Sequence, residues 1–202
     1  LSKLEHPLND GSLSYAIKRF RSIYDDYLKD SGASVYFSII PDKSYFLAEK
    51  NGYPSMDYDR LLTEFKKGTD YGEYIDIMPL LEIDDYYATD THWRQEKILD
   101  VAELIADKMG VTLSADYERV EAIDNFRGVY YGQAALPIDA EKLYYMKNDD
   151  LLNCRVYDYT DEKYISVYNE DKLTSSDPYE FFLSGSKSLL RIENEAAATD
   201  KE

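Results

Sequence analysis

The alternation of helical and strand-like patterns in the first half of the chain constrains its fold most strongly. Apolar residues spaced three and four positions apart predict an amphipathic helix over residues 13–28, capped by Ser12 or Asp10. The short apolar run 34–40 predicts a buried strand, and the order repeats with a helix at 57–67 and a strand at 74–77. Such alternation is typical of a parallel sheet covered by helices. We therefore expect an α/β fold.

The pattern of apolar residues changes near Leu113, from helical spacing to short alternating runs. Before it, residues 94–109 predict a third helix that ends at Gly110. After it, four short alternating runs predict antiparallel hairpins: 118–123, 142–146, 154–159 and 164–168. We predict a single domain over 1–202, with an α/β core at 1–112, a β-rich part at 113–190 and a flexible tail at 191–202.

Charge and composition exclude some functions and favour others. The 23 Lys and Arg residues against 40 Asp and Glu give a net charge of −17, and no basic run is present, which argues against a nucleic-acid partner. No apolar run is long enough to span a membrane. The 21 tyrosines suit contact with carbohydrate or another polar ligand, although a small core of half-exposed rings explains them equally well.

The chemistry is sought at histidine, because the chain has only two. His6 lies in a polar stretch and is most simply a surface residue. His92 follows an aromatic pair and precedes the predicted third helix, at the kind of position where α/β proteins place active sites. Asp90 stands two residues before it. In an extended loop this spacing lets the carboxylate accept the Nδ1 proton and leaves Nε2 free to act as a base.

Two alternatives to a catalytic dyad stay open at this point. Asp90 or Thr91 could simply cap the third helix, with His92 in its first turn and Trp93 in the core. A zinc site would require three or four His or Cys ligands, which the sequence does not group together, and no calcium-loop spacing is present. We expect no metal and no cofactor.

The motif Asp90-Thr91-His92-Trp93 and the segments around it resemble a known family. Together with the upstream run 39–43, the aromatic and glycine-containing segment 124–131 and the stretch 182–194, the motif is similar to the DHHW proteins of Firmicutes. These are SGNH-hydrolase-like and related to alginate O-acetyltransferase proteins. Thr91 stands where the family name has a histidine.

The resemblance implies a three-layer sandwich with a central, mainly parallel sheet, and it implies acyl transfer. A serine would be the nucleophile, with His92 as its base and Asp90 as the residue that orients it. Tyr87, Trp93 and Arg94 are then the candidate substrate-binding residues. The family's nucleophile follows a hydrophobic strand after the segment 192–194, and this sequence shows no such strand. The serines at 184, 186 and 188 precede that place, and we interpret them as hairpin residues.

The sequence therefore predicts an SGNH-like protein that lacks its last strand and nucleophile, through truncation or loss of catalysis. The resemblance implies an extracellular or cell-surface location in a Gram-positive bacterium. It also implies a cell-wall or capsular polysaccharide as partner and a membrane-bound O-acyltransferase as acetyl source. A sheet edge left open by a missing strand could support a dimer. The alternative is a non-catalytic glycan-binding or envelope scaffold, in which Trp93 and exposed tyrosines stack on sugar rings.

Overall fold

The computed structural model describes residues 8–113, 116–135 and 137–195. The chain divides into two compact units, residues 1–83 and 84–202, so this division lies well before the change of pattern near Leu113. The architecture is mixed α/β with small sheets of two or three strands. The predicted α/β class is confirmed in this sense, and the single-domain assignment stays a prediction.

The first unit combines three α-helices with one pair of strands. Its elements are α1 (Asp10–Ile23), continued by a π-helical turn (Tyr24–Leu28), β1 (Tyr36–Phe37), α2 (Lys43–Leu47), α3 (Tyr58–Gly68) and β2 (Glu73–Tyr74). Strands β1 and β2 pair in parallel. Both strands are much shorter than the predicted ones, although their parallel direction agrees with the expectation. Short 3-10 helices follow at Glu49–Asn51 and Met78–Leu80.

Polar side chains fix the starts of the helices in this unit. The side chain of Asn9, and not Ser12 or Asp10, caps α1 by accepting a hydrogen bond from the Ser12 amide at 2.9 Å. Asp57 caps α3 in the same way through the Arg60 amide at 3.0 Å. Such caps satisfy amides that have no partner within the helix.

Aromatic rings form much of the first unit's interior. Phe37 on β1 and Phe65 on α3 meet edge to face at 5.6 Å, and Phe20 on α1 lies 5.8 Å from Phe37 and 6.0 Å from Phe65. Ile75 and Ile77, just after β2, are almost fully buried. Phe20 itself is 41% exposed, so burial of Phe65, Ile75 and Ile77, together with the ring contacts, stabilises this unit, whose strands contribute few hydrogen bonds.

The second unit is richer in strands. Its helices are α4 (Leu99–Lys108), α5 (Val129–Ala134) and α6 (Asp149–Asn153), and its strands are β3 (Glu118–Phe126), β4 (Glu141–Lys147), β5 (Arg155–Asp158), β6 (Lys163–Ile165) and β7 (Leu190–Glu193). Short 3-10 helices occur at Ile83–Asp85, where the two units meet in sequence, and at Gln95–Lys97, Glu170–Thr174 and Pro178–Phe181.

The predicted antiparallel hairpins are confirmed. Strand β3 pairs with β4, and β5 lies between β6 and β7, with every pair antiparallel. Two details differ from prediction. The interpretation of Ser184, Ser186 and Ser188 as hairpin residues is wrong, since none of them lies in a strand, Ser184 has a positive φ of 59° and β7 begins only at Leu190. Strand β7 also occupies part of the predicted tail, and residues 196–202 lie outside the described residues.

The predicted third helix begins later than expected. Helix α4 starts at Leu99, after the 3-10 turn, and ends before Gly110, whose φ of 73° is the expected left-handed stop. The Arg94 amide donates to the Asp85 carbonyl at 2.6 Å, and the Gln95 side chain accepts from the Met146 amide at 2.7 Å. These bonds hold residues 94 and 95 outside the helix.

The core of the second unit is formed by four buried residues, namely Tyr87, Phe126, Leu143 and Phe181. Tyr87 precedes the predicted motif, Phe126 ends β3 and Leu143 lies on β4, so this core joins the motif to the longest hairpin. Within the described part of the chain, no helix combines the length and apolar character that crossing a membrane requires.

Candidate active site

A closed loop between Tyr86 and Trp93 presents the predicted motif. These two residues form an isolated antiparallel bridge, and the Tyr87 amide donates to the His92 carbonyl at 3.2 Å. The loop between them carries Asp90 and His92. It is therefore anchored at its base like a tight hairpin, and the intervening residues are free to make contacts elsewhere in the second unit.

Asp90 and His92 form the predicted dyad. His92 Nδ1 lies 2.5 Å from Asp90 Oδ1, and the same oxygen accepts from the His92 amide at 3.0 Å. Asp90 is fully buried, whereas the His92 side chain is 51% exposed. Among the described residues, Nε2 makes no hydrogen bond. The carboxylate thus favours the neutral tautomer with its proton on Nδ1, which leaves Nε2 able to accept a proton.

The environment of Asp90 keeps its carboxylate ionised. Burial alone would raise the pKa of this group, but hydrogen bonds from the His92 side chain, the His92 amide and the Val129 amide outweigh burial and lower the pKa below its ordinary value. The Val129 amide reaches Asp90 Oδ2 at 3.0 Å. Both carboxylate oxygens therefore have donors, as a buried charge requires.

An aromatic ring supports the imidazole from one side. Tyr179, in the 3-10 helix Pro178–Phe181, stacks on His92 with the ring centroids 3.9 Å apart and the planes 8° from parallel. Burial, reinforced by the nearby charges of Asp90 and Asp177, raises the pKa of the Tyr179 hydroxyl, which therefore stays neutral. The stack fixes the plane in which the imidazole lies.

Gly128 allows the backbone to approach Asp90 closely. A Cβ atom at this position would lie 2.3 Å from both Asp90 Cβ and Asp90 Oδ2, which no side chain can tolerate. The φ of Gly128 is −79°, so space and not backbone conformation requires glycine here. The close approach lets the next residue, Val129, donate its amide to Asp90.

A second carboxylate, Glu141, binds the loop from the start of β4. It accepts the amides of Ala88 and Thr89 at 2.9 and 2.8 Å, the Thr89 hydroxyl at 2.7 Å and an Arg94 guanidinium nitrogen at 2.5 Å. Burial would raise the pKa of Glu141, but these donors and the charge of Arg94 lower it. Sequence reasoning misses Glu141, because no local pattern links it to a loop about fifty residues earlier.

The three predicted substrate-binding residues differ in their burial and contacts. Tyr87 is fully buried in the core, where its ring supports the loop. The guanidinium of Arg94 binds Glu141 and lies 4.6 Å above the Tyr87 ring, an arrangement that fixes the loop. Trp93 is partly exposed beside His92 in sequence. The assignment of all three residues to substrate binding stays a prediction, and of the three Trp93 is the one beside His92 in sequence.

The alternative of a simple helix cap is wrong. His92 lies in the loop and not in a helical turn, and Asp90 accepts from His92 and Val129. No side chain caps α4, which begins after Ile98. The proposed surface position of His6 lies outside the described residues.

Two other groups that catalysis could use are a nucleophilic serine and a metal ion. Within residues 8–113, 116–135 and 137–195, no serine hydroxyl lies within hydrogen-bond distance of the His92 ring; Ser184 accepts from Asn169 at 2.9 Å. The same residues contain no group of three or more His, Cys, Asp or Glu side chains that could hold a metal ion.

Comparison with known proteins finds no matching family model and no matching curated protein. Solved structures do match. Bacillus cereus PatB1 with a sulfonyl adduct gives a TM-score of 0.69 at 20% identity, covering 90% of this chain and 68% of that one. A second PatB1 structure gives 0.67 at 18%, covering 93% and 70%. A DHHW family protein from Eubacterium siraeum gives 0.67 at 18%, covering 90% and 65%.

These structures share the fold of this chain over most of its length. The chain in turn spans about two thirds of the length of each of them. The resemblance to DHHW proteins that the motif Asp90 to Trp93 indicates is therefore confirmed at the level of the fold.

Proposed function

We propose that this chain carries the general-base part of an SGNH-type site for O-acetyl transfer or ester hydrolysis on a cell-envelope polysaccharide. The observation that carries the proposal is the dyad, in which a buried carboxylate holds His92 Nδ1 at 2.5 Å while the imidazole stays half exposed. The shared fold with PatB1, an O-acetyltransferase, supports the same chemistry.

In the proposed reaction, His92 Nε2 takes the proton of a serine hydroxyl as its oxygen attacks the acetyl carbonyl. Asp90 stabilises the imidazolium that forms. When the carbonyl re-forms, His92 gives the proton to the departing alcohol and an acetyl-serine remains. A sugar hydroxyl or water then attacks by the same steps in reverse order, so His92 acts first as base and then as acid in each half.

The nucleophile of this scheme is sought outside the described residues. This chain covers 65–70% of the similar structures, and we propose that a strand with its serine belongs to the part that it does not cover. With that strand added, we propose that the α/β elements complete a three-layer sandwich around a mainly parallel sheet. Without it, a second copy could pair with the open edge as a dimer.

The setting that we propose is the outer surface of a Gram-positive bacterium. There a membrane-bound O-acyltransferase would supply acetyl groups and a cell-wall or capsular polysaccharide would receive them. The net charge of −17 supports this setting only in that it disfavours nucleic acid as a partner.

The test compares the complete product of the encoding gene with the 202-residue chain on p-nitrophenyl acetate. We expect the longer protein to cleave the ester and His92→Ala to abolish cleavage, because no other group would take the serine proton. His6→Ala is the matched control, since it removes the only other histidine. Full activity in His92→Ala would overturn the proposal.

A non-catalytic scaffold is the second candidate, and the lack of a serine hydroxyl near His92 among the described residues favours it. It predicts no ester cleavage by either protein, together with binding of a neutral polysaccharide that Trp93→Ala weakens. Binding of this kind without cleavage would support the scaffold.

A further inference from the structure

We propose that Glu141 is a positioning residue that holds the Asp90–His92 dyad in its working geometry. The inference rests on the proposed function only in giving the dyad a role, because the geometry of the dyad can be measured without any reaction. Glu141 touches neither member of the dyad directly and acts through the residues on either side of them.

The two oxygens of Glu141 receive four donors from one short segment. Oε1 accepts from the Ala88 amide and from Arg94, while Oε2 accepts from the amide and the hydroxyl of Thr89. The Glu141 side chain is only 12% exposed, so water contributes little to this arrangement. Ala88 and Thr89 precede the dyad and Arg94 follows it. One side chain therefore fixes both ends of the loop that carries Asp90 and His92.

A carboxylate is required for this arrangement. An ionised carboxylate accepts at both oxygens and donates nothing, whereas a carboxamide replaces one acceptor by two N–H donors. The side chain in Glu141→Gln has nearly the same shape. Its NH2 group, however, would face either the donors of Ala88 and Arg94 or those of Thr89, so that donor meets donor. Because Thr89 is fully buried, an amide or hydroxyl of this residue left without an acceptor cannot be satisfied by solvent.

Thr89 transmits the position of Glu141 to Asp90. Its hydroxyl, which donates to Glu141, also accepts from the Gly128 amide at 3.0 Å, and its carbonyl accepts from the Tyr130 amide at 2.9 Å. The residue between these two, Val129, donates its amide to Asp90 Oδ2. Glu141 thus sets Thr89, Thr89 sets the segment 128–130, and that segment holds the far oxygen of Asp90.

The experiment measures the tautomer of neutral His92 from the ¹⁵N chemical shifts of its imidazole, in the whole chain. With only two histidines, His6 serves as the internal reference. We expect the Nδ1–H tautomer to dominate in the wild type and to lose its dominance in Glu141→Gln. The matched control is Glu121→Gln, which changes an exposed carboxylate on the partner strand β3 that binds Lys142. It should leave the tautomer as in the wild type.

The possible outcomes distinguish the positioning role of Glu141 from the dyad itself and from the proposed reaction. A wild-type tautomer that Glu141→Gln leaves unchanged would overturn the positioning role. If Glu141→Gln does not fold, Thr89→Val replaces it, and an unchanged tautomer there would overturn the role equally. A wild type without a dominant Nδ1–H form would overturn the dyad and this role together. If the tautomer responds to Glu141 but the complete gene product cleaves no ester, the positioning role is supported and the proposed reaction is contradicted.

Discussion

The two units of the molecule keep their interiors together by different means. In the first unit, Phe20, Phe37 and Phe65 pack edge to face around strands only two residues long. In the second, Asp90 and Asp158 are fully buried, and no buried carboxylate occurs among the described residues of the first. Apolar contacts tolerate small shifts, whereas a buried charge requires donors at fixed positions. The comparison indicates that geometry is specified most tightly around the dyad.

The two fully buried carboxylates of the second unit also differ from each other. Asp158 pairs with Lys187 at 2.9 Å and accepts the Thr160 amide at 2.9 Å, which joins β5 to a neighbouring loop. Asp90 pairs instead with a half-exposed imidazole. A lysine holds its proton permanently at neutral pH, whereas an imidazole can exchange one. Of the two, Asp90 is thus the carboxylate suited to proton transfer.

The largest effect that we expect comes from Phe65→Ala in the first unit. Loss of a buried ring that contacts Phe20 and Phe37 should lower the free energy of unfolding by about 3–5 kcal/mol, measured by urea denaturation. The site should keep its geometry, because its contacts described above all lie within residues 84–202. Tyr53→Ala, at a position 70% exposed, is the control and should change stability by less than about 0.5 kcal/mol. A changed His92 tautomer in Phe65→Ala would break the distinction between the units.

Gly128→Ala should have a smaller effect on stability and a greater one on the site. The added methyl would overlap the Asp90 carboxylate, and overpacking of this kind costs about 1–3 kcal/mol. Urea denaturation measures the cost, and the His92 tautomer reports the displaced carboxylate. Gly132→Ala on α5 is the matched control, since a methyl group at that position would meet nothing within 4 Å and alanine favours a helix. Equal behaviour of the two variants would show that Asp90 is not held tightly.

The smallest effect that we expect is on the loss of stability at acidic pH. The pKa values of Asp90 and Glu141 are lowered in the folded protein, so the stability that these groups contribute is present above their ordinary values of 3.8 and 4.5 and is lost as pH falls through the lower folded values. We expect urea denaturation between neutral pH and pH about 3 to show a decline that is shallower in Glu141→Gln. Parallel curves for the two proteins would contradict this.

Much of the fold follows from local patterns in the sequence. The helix beginning after Asp57 and the hairpins of the second half are readable because a helix or strand repeats its own apolar period. The lengths of the strands cannot be predicted from such patterns, because a strand ends where its partner ends. Strands β1 and β2 are short for this reason. Strand β7 lies in a stretch without an evident period and is specified by pairing with β5.

The site divides in the same way. Asp90 and His92 are predictable because they lie two residues apart, so a single loop conformation brings them together. Folding of the second unit brings three further residues to the loop, namely Glu141, Gly128 and Tyr179. Their spacing along the sequence does not predict these contacts. Nearness in sequence suggests Tyr87 and Arg94 as substrate-binding residues, but it does not reveal that Tyr87 is buried in the core and that Arg94 pairs with Glu141.

The stack between Tyr179 and His92 restricts rotation of the imidazole and therefore determines which nitrogen can accept and release a proton. Tyr179 shields one face of the imidazole, and Asp90 occupies the edge that carries Nδ1. A half-turn of the ring about the Cβ–Cγ bond would put Cδ2 in the place of Nδ1 and break the hydrogen bond to Asp90. A proton collected at Nε2 must therefore depart from Nε2, so the group that delivers it and the group that receives it have to visit the same edge of the ring in turn.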